Sequence, residues 1–191
     1  MTATSSFPAL VSQVSELVGA KGLNLLINNA GYKSSELKDL ATVTPEDMVE
    51  HFQINCVAPL FLTRALLPLL QSAAALQPGP AMAVTRAAVV QISSIAASIG
   101  EVSEAWAGMY AYRCSKAALN MASASLAAEV GRSSGVLVVS LHPGWVRTDM
   151  GGGEAPLAAE ESVAAMLETL GQLGEEDMGA FRTQDNKTLP W

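Results

Sequence analysis

The chain has few cysteines, few aromatic residues and little positive charge. Its two cysteines, Cys56 and Cys114, are too few for a disulfide framework, and reduced thiols are typical of a cytosolic protein. Lysine and arginine number 11 against 18 aspartates and glutamates, which gives a net charge of −7. Because such a chain has no basic surface to neutralise phosphates, we expect no nucleic-acid partner.

Several sequence signals are also missing. The first residues have neither the basic nor the apolar region of a signal peptide, and no run of ~18 uncharged apolar residues suggests a membrane span. We therefore expect a cytoplasmic protein without a membrane partner. No His, Asp and Glu cluster has metal-ligand spacing, so we expect no metal and disfavour a metal-dependent hydrolase.

What the chain does have is apolar material in a regular alternation. Half of its 191 residues are hydrophobic and 15% are charged, which suits a single domain over 1–191. Apolar spacing predicts helices at 7–18, 45–70, 110–132 and 158–173, with Thr44 as N-cap of the second. Short apolar runs predict strands at 23–27, 87–92, 136–141 and 180–182, with a loop at 71–86, a long connector at 95–109 and a flexible break at 151–153. Helix and strand alternate, which predicts an α/β fold with a parallel sheet covered by helices on both faces.

Tyr112 and Lys116 lie four residues apart in the third predicted helix, so they share one helix face. A free phenol ionises near pH ~10, and a nearby ammonium group lowers that pKa. A tyrosine tuned in this way gives a proton to a carbonyl oxygen or takes one from an alcohol. The pair alone is a weak signal, because two residues on a partly solvated helix face have the same spacing.

Three turns follow predicted strands directly: Asn28-Asn29-Ala30-Gly31, Ser93-Ser94, and the stretch from Pro143 to Thr148. All three fall at the carboxyl ends of strands. In open α/β sheets, this is the edge where ligands bind. The turns are therefore candidates for a ligand site shared with Tyr112 and Lys116.

Taken together, these elements resemble the short-chain dehydrogenases/reductases, and the resemblance covers essentially the whole chain. The matching stretches, in order, are 28–31, Asn55 within 53–55, 92–94, Tyr112-x-x-x-Lys116 and 143–148. The tract from His142 to Gly152 and the ending 189–191 look closest to C-factor or sniffer-like carbonyl reductases. The resemblance implies a Rossmann-like sheet and an oxidoreductase that reduces a small carbonyl, or oxidises the alcohol, with NADP(H) favoured over NAD(H).

The resemblance also assigns roles to residues. Tyr112 would be the acid/base, and Lys116 would hold the nicotinamide ribose and lower the pKa of Tyr112. Ser94, rather than Ser93, would bond the substrate oxygen, and Asn55 would position a water that relays protons. The catalytic set is thus Asn55, Ser94, Tyr112 and Lys116. The cofactor-binding set is Asn29, Ala30, Gly31, Asn55, Tyr112, Lys116, Pro143, Gly144, Val146 and Thr148.

Other interpretations of some of these residues remain open. Asn55 could simply cap backbone groups nearby, and the two serines could form only a strand-end turn. Trp106 and Trp145 could line a substrate pocket or merely pack. His51 and His142 are interpreted as structural. The small-sided helix 111–130 would suit a homodimer, although its small face could equally pack inside one subunit.

The chain departs from the family pattern in one large respect. No G-x-G-x-x-G or G-x-x-x-G-x-G occurs, and Gly151-Gly152-Gly153 lies in the wrong place. We therefore expect a partial Rossmann-type domain that lacks its first strands and the phosphate-binding turn at a helix N-terminus. The alternative to a reductase is a non-catalytic fragment or isoform that acts by association with family members.

Overall fold

The computed structural model describes residues 4–36, 38–76, 82–104 and 107–191. The strands are β1 (Leu25–Asn28), β2 (Ala88–Ile92), β3 (Leu137–His142) and β4 (Phe181–Thr183). The helices are α1 (Phe7–Val18), α2 (Pro45–Phe52), α3 (Ala58–Leu76), α4 (Tyr110–Leu126), α5 (Arg132–Ser134) and α6 (Ala159–Gln172). Trp106 and positions 77–81 of the expected loop lie outside the described residues.

Within the described ranges, four parallel strands form one sheet in the order β1-β2-β3-β4. Leu25 pairs with Ala88, and Ala88 pairs with Leu137, so the strands are nearly in step. All six residues of β3 are buried, as expected for a parallel strand covered on both faces. The predicted α/β, Rossmann-like parallel sheet is confirmed.

Alternate residues of the strands pack into two separate apolar layers, one on each face of the sheet. Val89 and Val138 pack with Leu70 of α3 on one face of the sheet. Val90 and Val139 pack with Leu170 of α6 on the other face. The strand period of two therefore places helices on both faces, and both layers support the carboxyl ends of the strands.

The predicted N-cap of α2 is confirmed. Thr44 Oγ1 accepts from the Asp47 backbone N–H at 3.3 Å, and Asp47 Oδ2 accepts from the Thr44 N–H at 2.9 Å, which completes a capping box. The helix runs on through a π turn, Gln53–Val57, into α3 and ends at Leu76 rather than near Leu70. Pro59 has no N–H for the carbonyl four residues earlier, which accounts for the irregular turn before it.

The continuous helical stretch Pro45–Leu76 is long and apolar enough to span a bilayer by length and composition, with a mean hydropathy of 1.4 in its most apolar window. It also carries fully buried polar side chains, Asn55 and Thr63. Its α3 part packs on the sheet through Leu70. These contacts are those of a core helix in a globular α/β protein.

Two further expectations about boundaries and order are wrong. The first strand begins at Leu25 rather than Leu23, because the Leu23 N–H donates to the Leu69 carbonyl of α3 at 2.9 Å instead of joining the sheet. The stretch 151–153 is an ordered turn rather than a flexible break. Gly152 N–H donates to Thr148 O at 2.8 Å, and a Cβ on Gly151 would lie 1.9 Å from the Val146 carbonyl oxygen.

Candidate active site

Tyr112 and Lys116 project from one face of α4 toward the end of β2. Lys116 is 3% exposed, and its Nζ donates to the Ile92 carbonyl at 2.7 Å. Burial lowers the pKa of Lys116 to about 8, because the charged ammonium loses most of its hydration. Lysines are almost never fully buried unless they are paired. Lys116 is unusual because its buried ammonium bonds a backbone carbonyl rather than a carboxylate.

The phenol of Tyr112 meets the hydroxyl of Ser94. Burial raises the pKa of Tyr112, and a hydrogen bond with Ser94 offsets part of that increase. We expected Lys116 to lower the pKa of Tyr112, but in this structure that pKa is raised. The Lys116 ammonium is engaged by the Ile92 carbonyl, so desolvation dominates at Tyr112.

The two serines after β2 have different surroundings. Ser94 is half-buried, and its Oγ also accepts from the Ala96 N–H at 3.1 Å at the start of a short 3-10 helix. Ser93 is 2% exposed, and its Oγ donates to Asn120 Oδ1 at 2.6 Å. Of the pair, Ser94 is therefore the one beside the Tyr112 phenol, and its bond to the substrate oxygen stays a prediction.

Asn55 lies in the π turn and is fully buried. Its Oδ1 accepts from the Tyr32 N–H at 2.7 Å, and its Nδ2 donates to the Tyr32 carbonyl at 2.8 Å and to Ser115 Oγ at 2.9 Å. The side chain thus fastens the turn after β1 to α4, which is the backbone-capping interpretation. Its role as part of a proton relay stays a prediction.

Asn29, Ala30 and Gly31 form an exposed turn at the carboxyl end of β1. A Cβ on Gly31 would lie 3.3 Å from Lys116 Nζ and 3.6 Å from Asn55 Oδ1. A side chain at this position would therefore crowd the lysine. The glycine therefore leaves the β1 side of Lys116 Nζ uncrowded by a side chain.

The stretch from Pro143 to Thr148 follows β3 and is tied to the chain around α6. The Pro143 carbonyl accepts from Ser162 Oγ at 2.6 Å, and Trp145 Nε1 donates to the Gly151 carbonyl at 2.8 Å. Gly144 has φ +83, and a Cβ there would lie 2.5 Å from Leu157. Val146 is half-buried and Thr148 is exposed, so the loop presents both beside the end of β3.

The structure therefore brings Ser94, Tyr112 and Lys116 into one cluster at the end of β2, with Asn55 and Gly31 against its β1 side. The 143–148 loop lies at the same edge, since all these turns follow parallel strands. No hydrogen bond joins Asn29, Ala30, Val146 or Thr148 side chains to the cluster among the described residues. Their cofactor roles stay predictions.

Some residues of the site were not predicted from the sequence. Ser115 accepts from Asn55 and donates to the Tyr112 carbonyl at 2.7 Å. His51 is 1% exposed; its Nε2 accepts from the Ser34 N–H at 3.2 Å, so its Nδ1 donates to the Asp47 carbonyl at 2.8 Å. Only the position of Ser115 next to Lys116 could have suggested a role. His142 is also buried, and desolvation lowers its pKa to about 4.

Comparison with known proteins gives consistent results. The family model described as short chain dehydrogenase matches residues 1–156. "C-signal" of Myxococcus xanthus is 39% identical over 169 residues, which cover 88% of this chain and 93% of that protein.

Two solved structures superpose on the whole chain. The carbonyl reductase Sniffer of D. melanogaster has a TM-score of 0.95 at 38% identity, and this chain covers 75% of it. The NADPH-bound carbonyl reductase from chicken fatty liver has a TM-score of 0.93 at 41% identity, and this chain covers 71% of it. The likeness to sniffer-type carbonyl reductases that the sequence predicted is confirmed.

Proposed function

The chain belongs to the short-chain dehydrogenase family of oxidoreductases, and from this premise we propose that it reduces a small carbonyl compound with NADPH, using Tyr112, Lys116 and Ser94 for the proton chemistry. One observation carries the proposal. The Tyr112 phenol lies close enough to the Ser94 hydroxyl to interact with it at the carboxyl edge of the sheet, and Lys116 is buried on the same helix face, where its Nζ donates to the Ile92 carbonyl at 2.7 Å.

The residues fit one end of a nicotinamide dinucleotide. The cradle left by Gly31 beside Lys116 Nζ admits a polar group such as a ribose hydroxyl, for which the lysine has donors to spare. The loop 143–148 would border the nicotinamide, and Asn29, Ala30 and Gly31 would pass beside the adenosine end. The 191 residues contain no glycine-rich phosphate turn, so they fit the nicotinamide end and not the pyrophosphate.

When bound, the reduced cofactor supplies a hydride to the carbonyl carbon. The Tyr112 phenol donates its proton to the carbonyl oxygen, which completes the alcohol. Ser94 donates a hydrogen bond to the same oxygen and so stabilises the charge that develops there. Lys116, as an ammonium on the same helix face, would favour the phenolate that remains.

NADPH is proposed over NADH because a 41% identical carbonyl reductase carries NADPH in its solved structure. The substrate is proposed to be a small carbonyl compound, by analogy with the same relatives. We also propose that 1–191 form a single partial domain in the cytoplasm, in keeping with two free cysteines, Cys56 and Cys114.

A homodimer is proposed through α2 and α4. The groove beside these helices has a volume of about 590 Å³ and is lined by Met48, Val49, Phe52, Gln53, Val57, Ala58, Cys114 and Ser115. Val49 and Phe52 expose 54% and 45% of their surface, so a second subunit would bury apolar area here. A single monomeric boundary in sedimentation at micromolar concentration would contradict it.

A second candidate is a non-catalytic role through association with family members. The observation that favours it is the edge strand β1, which among the described residues pairs with β2 alone and exposes 40% of Ile27. Strand edges of this kind readily pair with another chain. Cofactor-dependent turnover by the extended chain described next would favour the reductase over this role.

The proposal is tested by Tyr112→Phe in the chain extended upstream by a strand–glycine-turn–helix segment, with NADPH and a panel of small aldehydes and ketones. We expect kcat to fall by ~10²- to 10⁴-fold with the fold intact, because the proton donor is lost. Tyr110→Phe is the matched control, since Tyr110 lies two residues away on the same helix and should leave kcat unchanged. Full activity in Tyr112→Phe would contradict the assignment of Tyr112 as the proton donor.

A further inference from the structure

Helix α4 presents a third polar side chain on the face that carries Tyr112 and Lys116. Asn120 lies one turn beyond Lys116 and is 3% exposed. The proposed chemistry uses the first two residues and leaves this buried amide without a role. Buried polar groups are nearly always hydrogen-bonded, so the hydrogen bond between Asn120 and Ser93 is informative.

Asn120 makes one of two hydrogen bonds that join α4 to the end of β2 among the described residues. Lys116 Nζ donates to the Ile92 carbonyl at 2.7 Å, and Ser93 Oγ donates to Asn120 Oδ1 at 2.6 Å. The Ser94 hydroxyl lies within interaction range of the Tyr112 phenol. The three strand-end residues are consecutive, so a displacement of the middle one moves both of its neighbours.

Ser93 is also fixed to the sheet, since its N–H donates to the Leu141 carbonyl at 2.8 Å. Its side chain is therefore a link between the sheet and α4. The hydrogen bond to Asn120 joins the strand end to the helix between the Ile92 carbonyl, which accepts from Lys116, and Ser94, which interacts with Tyr112.

Packing alone does not explain an amide at this position. Asn120 Nδ2 has no hydrogen-bond partner among the described residues, and an unpaired buried polar group destabilises a fold by ~1–3 kcal/mol. Ser123, on the next turn, is 2% exposed and its Oγ likewise has no partner in the described ranges. Ser123 therefore shares the burial of Asn120 without its bond to the strand end.

We propose that Asn120 is a positioning residue for the reduction: through Ser93 it holds the Ile92 carbonyl on Lys116 and the Ser94 hydroxyl on Tyr112. Its effect on rate rests on the proposed function, whereas its effect on the geometry of the site does not. Two measurements separate these consequences.

The first measurement needs neither cofactor nor turnover. The side-chain amines of ¹⁵N-labelled lysine are titrated by NMR in the 191-residue chain, and Lys116→Met identifies the Lys116 signal, whose pKa is about 8. In Asn120→Leu we expect that pKa to rise by at least ~0.5 toward the ordinary value of ~10.4, because the loosened strand end admits water to the ammonium. Ser123→Ala should leave it unchanged.

Ser93→Ala removes the same hydrogen bond from the strand side with little change in volume, and it keeps the test decisive if Asn120→Leu does not fold. It should raise the Lys116 pKa as Asn120→Leu does. If Lys116 keeps its pKa in Ser93→Ala, or if Asn120→Leu behaves like Ser123→Ala, the positioning role is overturned.

The second measurement is kinetic and uses the upstream-extended chain. Asn120→Leu and Ser93→Ala should each lower kcat by ~10-fold or more while the KM for NADPH stays within about twofold, since misplacement affects the reacting groups. The double variant should be no slower than the slower single variant, because both changes break one bond. Additive losses would overturn the proposal. A shifted Lys116 pKa with no turnover in any form would support the positioning role and count against the reductase.

Discussion

The end of β2 and the edge strand β1 are neighbours in the sheet, yet they differ in how completely their groups are engaged. At the end of β2, Ile92 and Ser93 each bond a side chain of α4, and Ser94 interacts with Tyr112. Within the described part of the chain, β1 pairs on one side, with β2, and Ile27 keeps 40% of its surface exposed. The groups that we propose to move a proton are thus held in place within the chain, whereas the edge at β1 is open.

The largest effect on kcat that bears on this comparison of β2 with β1 is expected from substitutions of the two serines after β2. Ser94→Ala should lower kcat of the upstream-extended chain by ~10²- to 10³-fold, because a donor aimed at the developing charge is lost. Ser93→Ala should lower it by only ~10-fold, because Ser93 acts through its neighbours. Steady-state kinetics of both variants decide the order, and a larger loss in Ser93→Ala would show that the wrong serine has been assigned.

A second test concerns the loop after β3, where Gly151 lies against the Val146 carbonyl. Gly151→Ala should lower the free energy of unfolding by ~1–3 kcal/mol, because its Cβ would lie 1.9 Å from the Val146 carbonyl oxygen and the loop must shift. Gly153→Ala is the matched control, since nothing lies within 4 Å of its Cβ, and should be neutral. Urea unfolding measures both. Equal stability of the two variants would contradict an ordered turn.

The third test uses pH. Because burial lowers the pKa of Lys116 from 10.5 to about 8, the native protein binds fewer protons than the unfolded chain between those values. The free energy of unfolding should therefore rise with pH across this window, by about 2 kcal/mol between pH 7 and 9.5. Lys116→Met should lack this increment. The free energy of unfolding of both proteins is measured with urea at each pH. If it changes with pH in the same way for both, the lysine is not desolvated.

Much of this fold could be predicted from the sequence, because its signals are local. Apolar runs located the strands, and Thr44 before Pro45 located a helix start. The spacing of Tyr112 and Lys116 gave their shared face. These features depend on periodicity and capping, which neighbouring residues specify.

Long-range contacts could not be predicted in the same way. The bond from Leu23 to Leu69 shortened the first strand, and the contact of Gly151 with Val146 turned an expected flexible break into a tight turn. The raised pKa of Tyr112 depends on burial, which spacing does not report. The bonds of Ser115 and Asn120 join segments far apart in the chain, so no local pattern marks them.

The central claim is that these 191 residues hold the proton-transfer groups but bind only the nicotinamide end of the cofactor. Titration of NADPH fluorescence against the 191-residue chain, and against the same chain joined to an upstream strand–glycine-turn–helix segment, tests it most directly. We predict very weak binding for the first chain and micromolar binding with turnover for the second. Micromolar binding by the 191-residue chain itself would contradict the account.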